Sequence, residues 1–313
     1  MTSYGDKVSV CLLTYNHVNL VESTIKTVLD QTVQGFEFIV SDDHSTDGTW
    51  QKILDLASAD ARITPIQTPY NIGMPGNTNY AVSHTSRPYI ALLHHDDLYR
   101  KDLLEKWTGV MERHPDVGFV FNPYGVFESD SVFDHPFRNE KLDGRWFLEK
   151  HLFHYWGCPV RGTALIRRDA FEAVSGMREE FGLLADIDLW MRLARNGPVG
   201  YVPEPVIIVR HDRPEYYPDI YTGKSWSWCR KYFLYEIHGR NREEYYSGIR
   251  LRCEMLKFRF KVTVETIKWL GYAVVRNRPD MFLDSGKNTS TYELSIVRAV
   301  KFIAKRLCRH HTQ

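Results

Sequence analysis

Cysteine is scarce in this sequence. Five residues, Cys11, Cys158, Cys229, Cys253 and Cys308, are scattered with no CxxC spacing, which argues against a disulfide framework and against a cysteine zinc site. Long hydrophobic runs are missing as well. The longest uncharged apolar run near the C-terminus, Trp269 to Val275, falls far short of the roughly 20 residues a membrane-spanning helix needs. The opening MTSYGDKVSV has no apolar signal core, so the expected setting is reducing and cytoplasmic, and the sequon Asn288-Thr289-Ser290 reads as a chance match. No internal repeat occurs. An excess of charge of either sign is also lacking, with 40 Lys and Arg against 39 Asp and Glu and a formal net charge of +1. That balance conceals an asymmetry: residues 221–313 carry 19 basic and 8 acidic side chains, leaving 21 and 31 for residues 1–220.

With 43% apolar and 25% charged residues the chain has a globular composition, not a disordered, collagenous or coiled-coil one. Its first hundred residues alternate β-branched runs with helical spacing. Val8 to Leu13, Phe36 to Val40, Ile63 to Gln67 and Tyr89 to Leu93 read as strands. Between them, Leu20 to Gln31, Thr49 to Leu56 and a segment opened by Pro75 read as helices. Such alternation predicts an α/β fold with a parallel, doubly wound sheet, whose ligands bind beyond the carboxyl ends of its strands. The polar clusters Thr14 to Asn16, Asp42-Asp43 and His94 to Asp97 all fall at those ends. Further on, Asp102 to Arg113 reads as a helix, Val117 to Val126 as strand-like, and Glu128 to Asn139 as a polar loop. A helix near Arg145 to Phe153, a strand Ala164 to Arg167, a helix Asp186 to Asn196 and a strand Val206 to Arg210 follow. Beyond Tyr221 the chain reads as helical, aromatic and basic.

Several ordered motifs carry a resemblance. Val8 to Asn16 is followed after one helix by Phe38 to Thr49, then by Asn71-Ile72-Gly73 with Asn77, and then by His95-Asp96-Asp97. Gly162-Thr163-Ala164 and Asp186-Ile187-Asp188-Leu189-Trp190 complete the series. Together they resemble family 2 glycosyltransferases of the bacterial surface-polysaccharide type, over roughly residues 6–212. The resemblance implies a GT-A fold, a mixed sheet flanked by helices, and an inverting transfer of sugar from a nucleotide-sugar donor, most simply UDP-linked. It implies a catalytic domain over residues 1–220, with a nucleotide-sugar half (1–97) and an acceptor half (98–220). A basic, mainly helical extension (221–313) lies outside it.

The residues make chemical sense in those roles. Asp42, at a strand end, has acceptors for a base edge or a ribose hydroxyl, and Thr14 and Tyr15 offer a hydroxyl and an aromatic face beside it. The resemblance adds Asn16, Asn77 and Asp96 to the nucleotide contacts. A plain turn whose acids cap the next helix is the competing reading of Asp42-Asp43 and of Asp96-Asp97. Hard carboxylates suit Mn2+ or Mg2+ on a departing diphosphate, which makes Asp97 the expected metal ligand, with His211 as a second. The family commonly has Asp where His94 stands, a departure that sets His94 aside. Asp186, at a helix start where the macrodipole keeps a carboxylate ionised, matches the general base; Asp188 and Trp190 are the expected acceptor contacts, with support of the helix start as the other reading of Asp188. The family's preceding Glu is Ala185 here.

In the tail, Ile296, Val300, Ile303 and Leu307 form one helical stripe, with Arg298, Lys301, Lys305 and Arg309 opposite. That pattern suits an anionic membrane surface or, equally, an apolar stripe docked on protein. Trp226, Trp228, Tyr232, Phe233 and Tyr235 extend such a surface or belong to a core. The expected acceptor is a glycan or lipid-linked glycan, and the expected location is cytoplasmic or peripheral at the inner face of the cell membrane. Nucleic acid is not expected as a partner, because no binding motif accompanies the charge; oligomerisation stays open. A non-catalytic sugar-nucleotide scaffold is the alternative. A nucleotidyltransferase lacks its Gly-rich basic loop at Thr14 to His17, and a dehydrogenase lacks GxGxxG after the first strand.

Overall fold

The buried β-branched runs become the centre of an eight-stranded sheet. In the computed structural model, residues 4–126, 129–133, 137–154, 158–210, 226–275 and Tyr292 are described. They belong to two compact units, Met1–Arg213 and Pro214–Gln313. His211, the sequon and the stretch from Ile296 to Arg309 lie outside the described residues, as do the side chains of Trp226, Trp228 and Tyr232.

In the first unit, β1 (Val8–Thr14), β2 (Glu37–Asp42), β3 (Ile63–Gln67) and β4 (Tyr89–His94) run parallel. Every residue of β1 is buried, as expected where helices cover both sheet faces. The intervening α1 (Val21–Leu29), α2 (Thr49–Ala59) and α3 (Gly73–Ser83) match the sequence reading to within a few residues. Helix α1 buries Val21, Ile25 and Val28, the spacing of a single apolar stripe.

After β5 (Leu98–Tyr99) and α4 (Leu103–Arg113), the predicted run from Val117 to Val126 divides into β6 (Phe119–Phe121) and β7 (Tyr124–Val126). Pro123 has no N–H for a ladder, and the Asn122 side chain turns inward to accept from Trp107 Nε1 at 2.9 Å. The two halves join different sheets. Within the segment read as a loop lie β8 (Ser129–Phe133) and, just beyond it, β9 (Lys141–Leu142). Helix α5 (Gly144–Phe147) continues into a π turn over Leu148–Leu152. Then come β10 (Ala164–Arg167), α6 (Arg168–Ala173), α7 (Ala185–Asn196), β11 (Val199–Tyr201) and β12 (Ile207–Val209).

The large sheet has the order β3-β2-β1-β4-β10-β6-β11-β9, and a small sheet has the order β5-β12-β7-β8. Because β10 is antiparallel to both β4 and β6, and β11 is parallel to β6, strands β6 and β11 point the same way as β4. Strand β9 is antiparallel to β11. One edge of the sheet therefore collects the ends of β2, β1, β4, β6 and β11 with the starts of β10 and β9. This is a mixed GT-A-type arrangement rather than a wholly parallel one.

The second unit contains α8 (Trp226–Tyr245) and α9 (Gly248–Val275). Leu234, Tyr235, Ile237, Met255, Phe258 and Val262 on these helices are buried, so Tyr235 belongs to a core. Arg242 lies over the Phe258 ring at 4.5 Å. No described helix is long and apolar enough to cross a membrane.

Candidate active site

The register places Thr14 beside Asp42 and Leu13 beside His94, so the polar clusters meet at the shared edge. Asp42 is fully buried. Its carboxylate accepts from Ser45 N at 2.9 Å, Ser45 Oγ at 2.5 Å and Gln67 Nε2 at 2.9 Å. Asp43 organises the next loop instead, accepting from Thr68 Oγ1 (3.0 Å), Ile72 N (2.9 Å) and Gly73 N (2.8 Å). Gly73 has φ +80°, a conformation glycine adopts without strain. Asn16 Oδ1 accepts from Thr46 N at 2.8 Å, and Asn77 is nearly buried with its amide against Ser41 Oγ (2.5 Å) and Ser41 O (3.2 Å). Both asparagines brace the strand ends. Tyr15 is half-buried, and the buried Thr14 Oγ1 has no hydrogen-bond partner among the described residues. A buried hydroxyl left in this state favours a ligand at its side.

At the end of β4 the chain makes a tight polar turn. Tyr99 Oη accepts from His94 N at 2.8 Å and donates to His94 O at 2.7 Å. From α1, Thr24 Oγ1 donates to the carbonyls of His95 (2.7 Å) and Asp97 (2.9 Å). His94, Asp96 and Asp97 each present a ligand atom, all within 4.8 Å of one another. Two carboxylates and an imidazole suit a hard or borderline divalent cation, so the donor set fits the implied Mn2+ or Mg2+. His94, set aside in the sequence reading, belongs to this group. Its place depends on Gly162, where a Cβ would lie 2.4 Å from His94 Cε1. Burial alone would raise the Asp96 carboxyl; His95, His94, Arg161 and His17 outweigh it and hold that carboxyl below the usual range. His17 lies against His95 with ring centroids 3.7 Å apart and the planes tilted by 41°, and burial, then the charge of His95, pushes its pKa down to about 4.

Arg161 joins this cluster to the predicted base. Its Nε and Nη2 each lie 3.4 Å from the Asp97 carboxylate, and its guanidinium sits over the Tyr124 ring at 5.2 Å. It also acts on Asp186. The sequence reading passed over Arg161, since a single Arg before a strand is an ordinary surface residue. Register finds it: Ala164 pairs with Leu92 on an antiparallel strand, which sets Gly162 and Arg161 opposite His94 and His95.

Asp186 lies in the first turn of α7, half-buried. Burial pushes its carboxyl up to about 6, against the lowering contributions of the Ile187 and Asp186 backbone N–H groups, Arg161 and Trp190. The sequence reading expected the helix terminus to dominate; desolvation exceeds it. Asp188 and Trp190, expected at the acceptor, are both fully buried. Asp188 accepts from Arg192 Nε at 2.7 Å and Arg178 Nη1 at 3.3 Å. The Trp190 ring packs on Phe119 at 5.2 Å. Ala185 is buried too, a methyl in the core where the family has a carboxylate.

Known proteins resemble this chain in sequence and in fold. The profile described as Glycosyl transferase family 2 matches residues 9–175. A Bacillus subtilis (strain 168) protein named for glycosyltransferase activity, EpsE, is 31% identical over 218 residues, 66% of this chain and 74% of that protein. The Escherichia coli UDP-Glc:alpha-D-GlcNAc-diphosphoundecaprenol beta-1,3-glucosyltransferase WfgD is 30% identical over 125 residues, 40% of this chain and about half (48%) of that protein. Among solved structures, S. aureus TarS 1-349 in complex with UDP-GlcNAc superposes with a TM-score of 0.65 at 15% identity, covering 98% of this chain and 92% of that one; at that identity it shares the fold. With the family's profile spanning more than half of its residues, this chain belongs to glycosyl transferase family 2.

Proposed function

We propose that this chain is an inverting glycosyltransferase that moves a sugar from a UDP-linked donor to a hydroxyl of a glycan or lipid-linked glycan. The observation that carries the reading is Asp186, a half-buried carboxyl at about pKa 6 that shares Arg161 with the His94, Asp96 and Asp97 cluster. Asp97, with Asp96 and His94, would hold a divalent cation, Mn2+ or Mg2+, whose chemistry is to neutralise charge on the diphosphate. Thr14, Tyr15 and Asp42 receive the nucleoside, with Asn16 and Asn77 bracing them. The acceptor oxygen bonds to the anomeric carbon as the carbon–oxygen bond to the diphosphate breaks, and the diphosphate keeps that electron pair. Asp186 takes the hydroxyl proton in the same step, and attack opposite the leaving group inverts the anomeric centre. Arg161 offers its charge beside both carboxylates. The catalytic body is proposed over residues 1–220, with 221–313 as the extension.

A lipid-linked acceptor draws support from the diphosphoundecaprenol in the name of WfgD. It also draws support from α9, whose Ile249, Leu256, Phe260 and Ile267 are 75%, 66%, 64% and 41% exposed and recur on one helical face. Arg250, Lys257 and Lys268 flank that face on one side, Arg252 and Arg259 on the other. Positive flanks on both sides favour an anionic lipid surface over a second copy of the same helix. The protein would then work from the cytoplasm, peripheral to the membrane.

The test is release of diphosphate from a nucleotide-sugar panel with and without Mn2+, in the native chain and in Asp186→Asn. Loss of turnover with nucleotide binding retained is expected; near-normal turnover in the variant would sink the base assignment. Binding without diphosphate release in the native chain would favour the scaffold reading.

A further inference from the structure

At the opposite end of the large sheet from β3, the residues before β9 and the turn of α5 line an open cavity of about 610 Å3. That volume is in the range of small-molecule sites. Trp146 forms one wall and is 44% exposed, a large apolar surface left in water. Phe137 and His151 hold its ring edge-on, with centroids 6.3 and 4.7 Å away. The wall is rigid at its base. Asp143 Oδ1 accepts from Trp146 N at 2.7 Å, and Gly144 sits so close to α7 that a Cβ would lie 1.9 Å from Gly197 O. The rim is polar: Arg138 and Asn139 are exposed, with no hydrogen bond to other described residues. Lys141 is already paired with Asp116 at 2.6 Å.

The topology gives the cavity its direction. Strand β9 is antiparallel to β11, so Phe137 to Asn139 come to the same sheet edge as His94. The Phe137 ring lies 5.0 Å from Tyr201 and 5.8 Å from Phe121, the last residues of β11 and β6. Four inter-strand steps separate β4 from β9, roughly 19 Å at about 4.8 Å each. A group in the cavity therefore lies well along the sheet edge from His94, where a distal part of an extended acceptor would be held. An exposed indole beside a free guanidinium and a free amide matches a pyranose, which presents a C–H face to the ring and hydroxyls around its rim.

We propose that this cavity is a distal acceptor subsite holding one pyranose of the glycan being extended, stacked on Trp146 and hydrogen-bonded by Arg138 and Asn139. The acceptor role rests on the glycosyltransferase reading above; the saccharide site does not. In the 15N-labelled full chain, the Trp146 indole N–H resonance, assigned through Trp146→Phe, is followed during titration with glucose, galactose, N-acetylglucosamine and glucuronic acid. Acyclic sorbitol is the control. At least one pyranose should shift it saturably in the millimolar range, and the double variant Arg138→Ala/Asn139→Ala should weaken that binding about tenfold. A resonance that no pyranose moves, or that moves equally with sorbitol, overturns the proposal. In turnover, Trp146→Ala should raise the acceptor KM about tenfold while kcat and nucleotide-sugar hydrolysis stay unchanged. Hydrolysis intact with an unchanged acceptor KM sinks the subsite alone. Absence of hydrolysis in the native chain sinks the glycosyltransferase reading, and with it the acceptor role, whatever the titration shows.

Discussion

The two ends of one sheet edge are built on opposite principles. Around β1, β2 and β4 the polar groups hold one another: Asp42 has three donors, Asp43 three, and the Asn16 and Asn77 amides are engaged with the chain. Around β9 and α5 the rings hold one another, and the polar side chains of Arg138 and Asn139 are left to solvent. A pre-organised polar wall suits a ligand whose chemistry never varies, since donors already in place need no reorganisation. An aromatic wall with adaptable polar groups suits partners that differ from enzyme to enzyme. Asp186 stands between, and the sharpest tests ask whether the two ends are separable.

The largest effect is expected at Asp186. Asp186→Asn should lower kcat by roughly 10²- to 10⁴-fold, the usual contribution of a general base, measured as nucleoside diphosphate release. It should also stabilise the fold. A carboxyl whose folded pKa is about 6, above its unfolded value near 3.9, contributes stability that is complete below the unfolded value and is lost as pH rises through 6. At pH 7–8 the native chain therefore carries a penalty of order 1–2 kcal/mol after allowance for partial exposure. The amide removes it, and thermal unfolding at pH 7.5 should move up by a few degrees. An inactive variant that is also less stable would make Asp186 a structural acid.

Asp188 supplies the contrast two residues away. Arg192→Met takes the 2.7 Å Nε donor from a fully buried carboxylate, leaves Arg178 at 3.3 Å, and removes the Arg192 donors from the carbonyls of Val174 and Gly176. Breaking a buried pair in this way costs about 3–5 kcal/mol, read from denaturant unfolding. A change below about 1 kcal/mol would mean that the pair is not what fixes α7.

These neighbours also mark what the sequence makes legible. Strand ends were readable because buried β-branched runs stop at polar residues, so Thr14, Asp42 and His94 to Asp97 were found with the correct neighbours. Asp186 followed from its motif. Of the two roles the motif left to Asp188, helix support and acceptor contact, its burial with Arg192 and Arg178 fits the first: two residues turn an α-helix by 200°, so Asp188 looks away from Asp186. Arg161 was invisible until β10 had a partner and a direction. The Trp146 cavity was invisible for the same reason, because Phe137, Trp146 and His151 meet only once the unanticipated β9 pairs with β11.

A smaller effect is expected at Gly162. The Ala variant forces the His94 ring out of its place beside Asp96 and Asp97, at a cost of about 1–3 kcal/mol for overpacking. The Mn2+ concentration for half-maximal activity should rise about tenfold, a common cost of disturbing the surroundings of a metal site. An unchanged Mn2+ titration would remove His94 from the metal group and leave it as packing.

The last test asks for no effect. With Asp186 at about 6, kcat/KM should fall tenfold per pH unit below that value, because only the ionised carboxyl accepts a proton. Asp96 is held below the usual carboxylate range, so its protonation belongs further to the acid side and does not set this limb. In Trp146→Ala the whole profile should drop by the acceptor factor while its inflection stays near pH 6, since the cavity lies three strand steps beyond Arg161 at the start of β10. Were the inflection to move by half a unit or more, the aromatic end would be altering the field at the base. The division of the edge into a fixed donor end and an adaptable acceptor end would then fail.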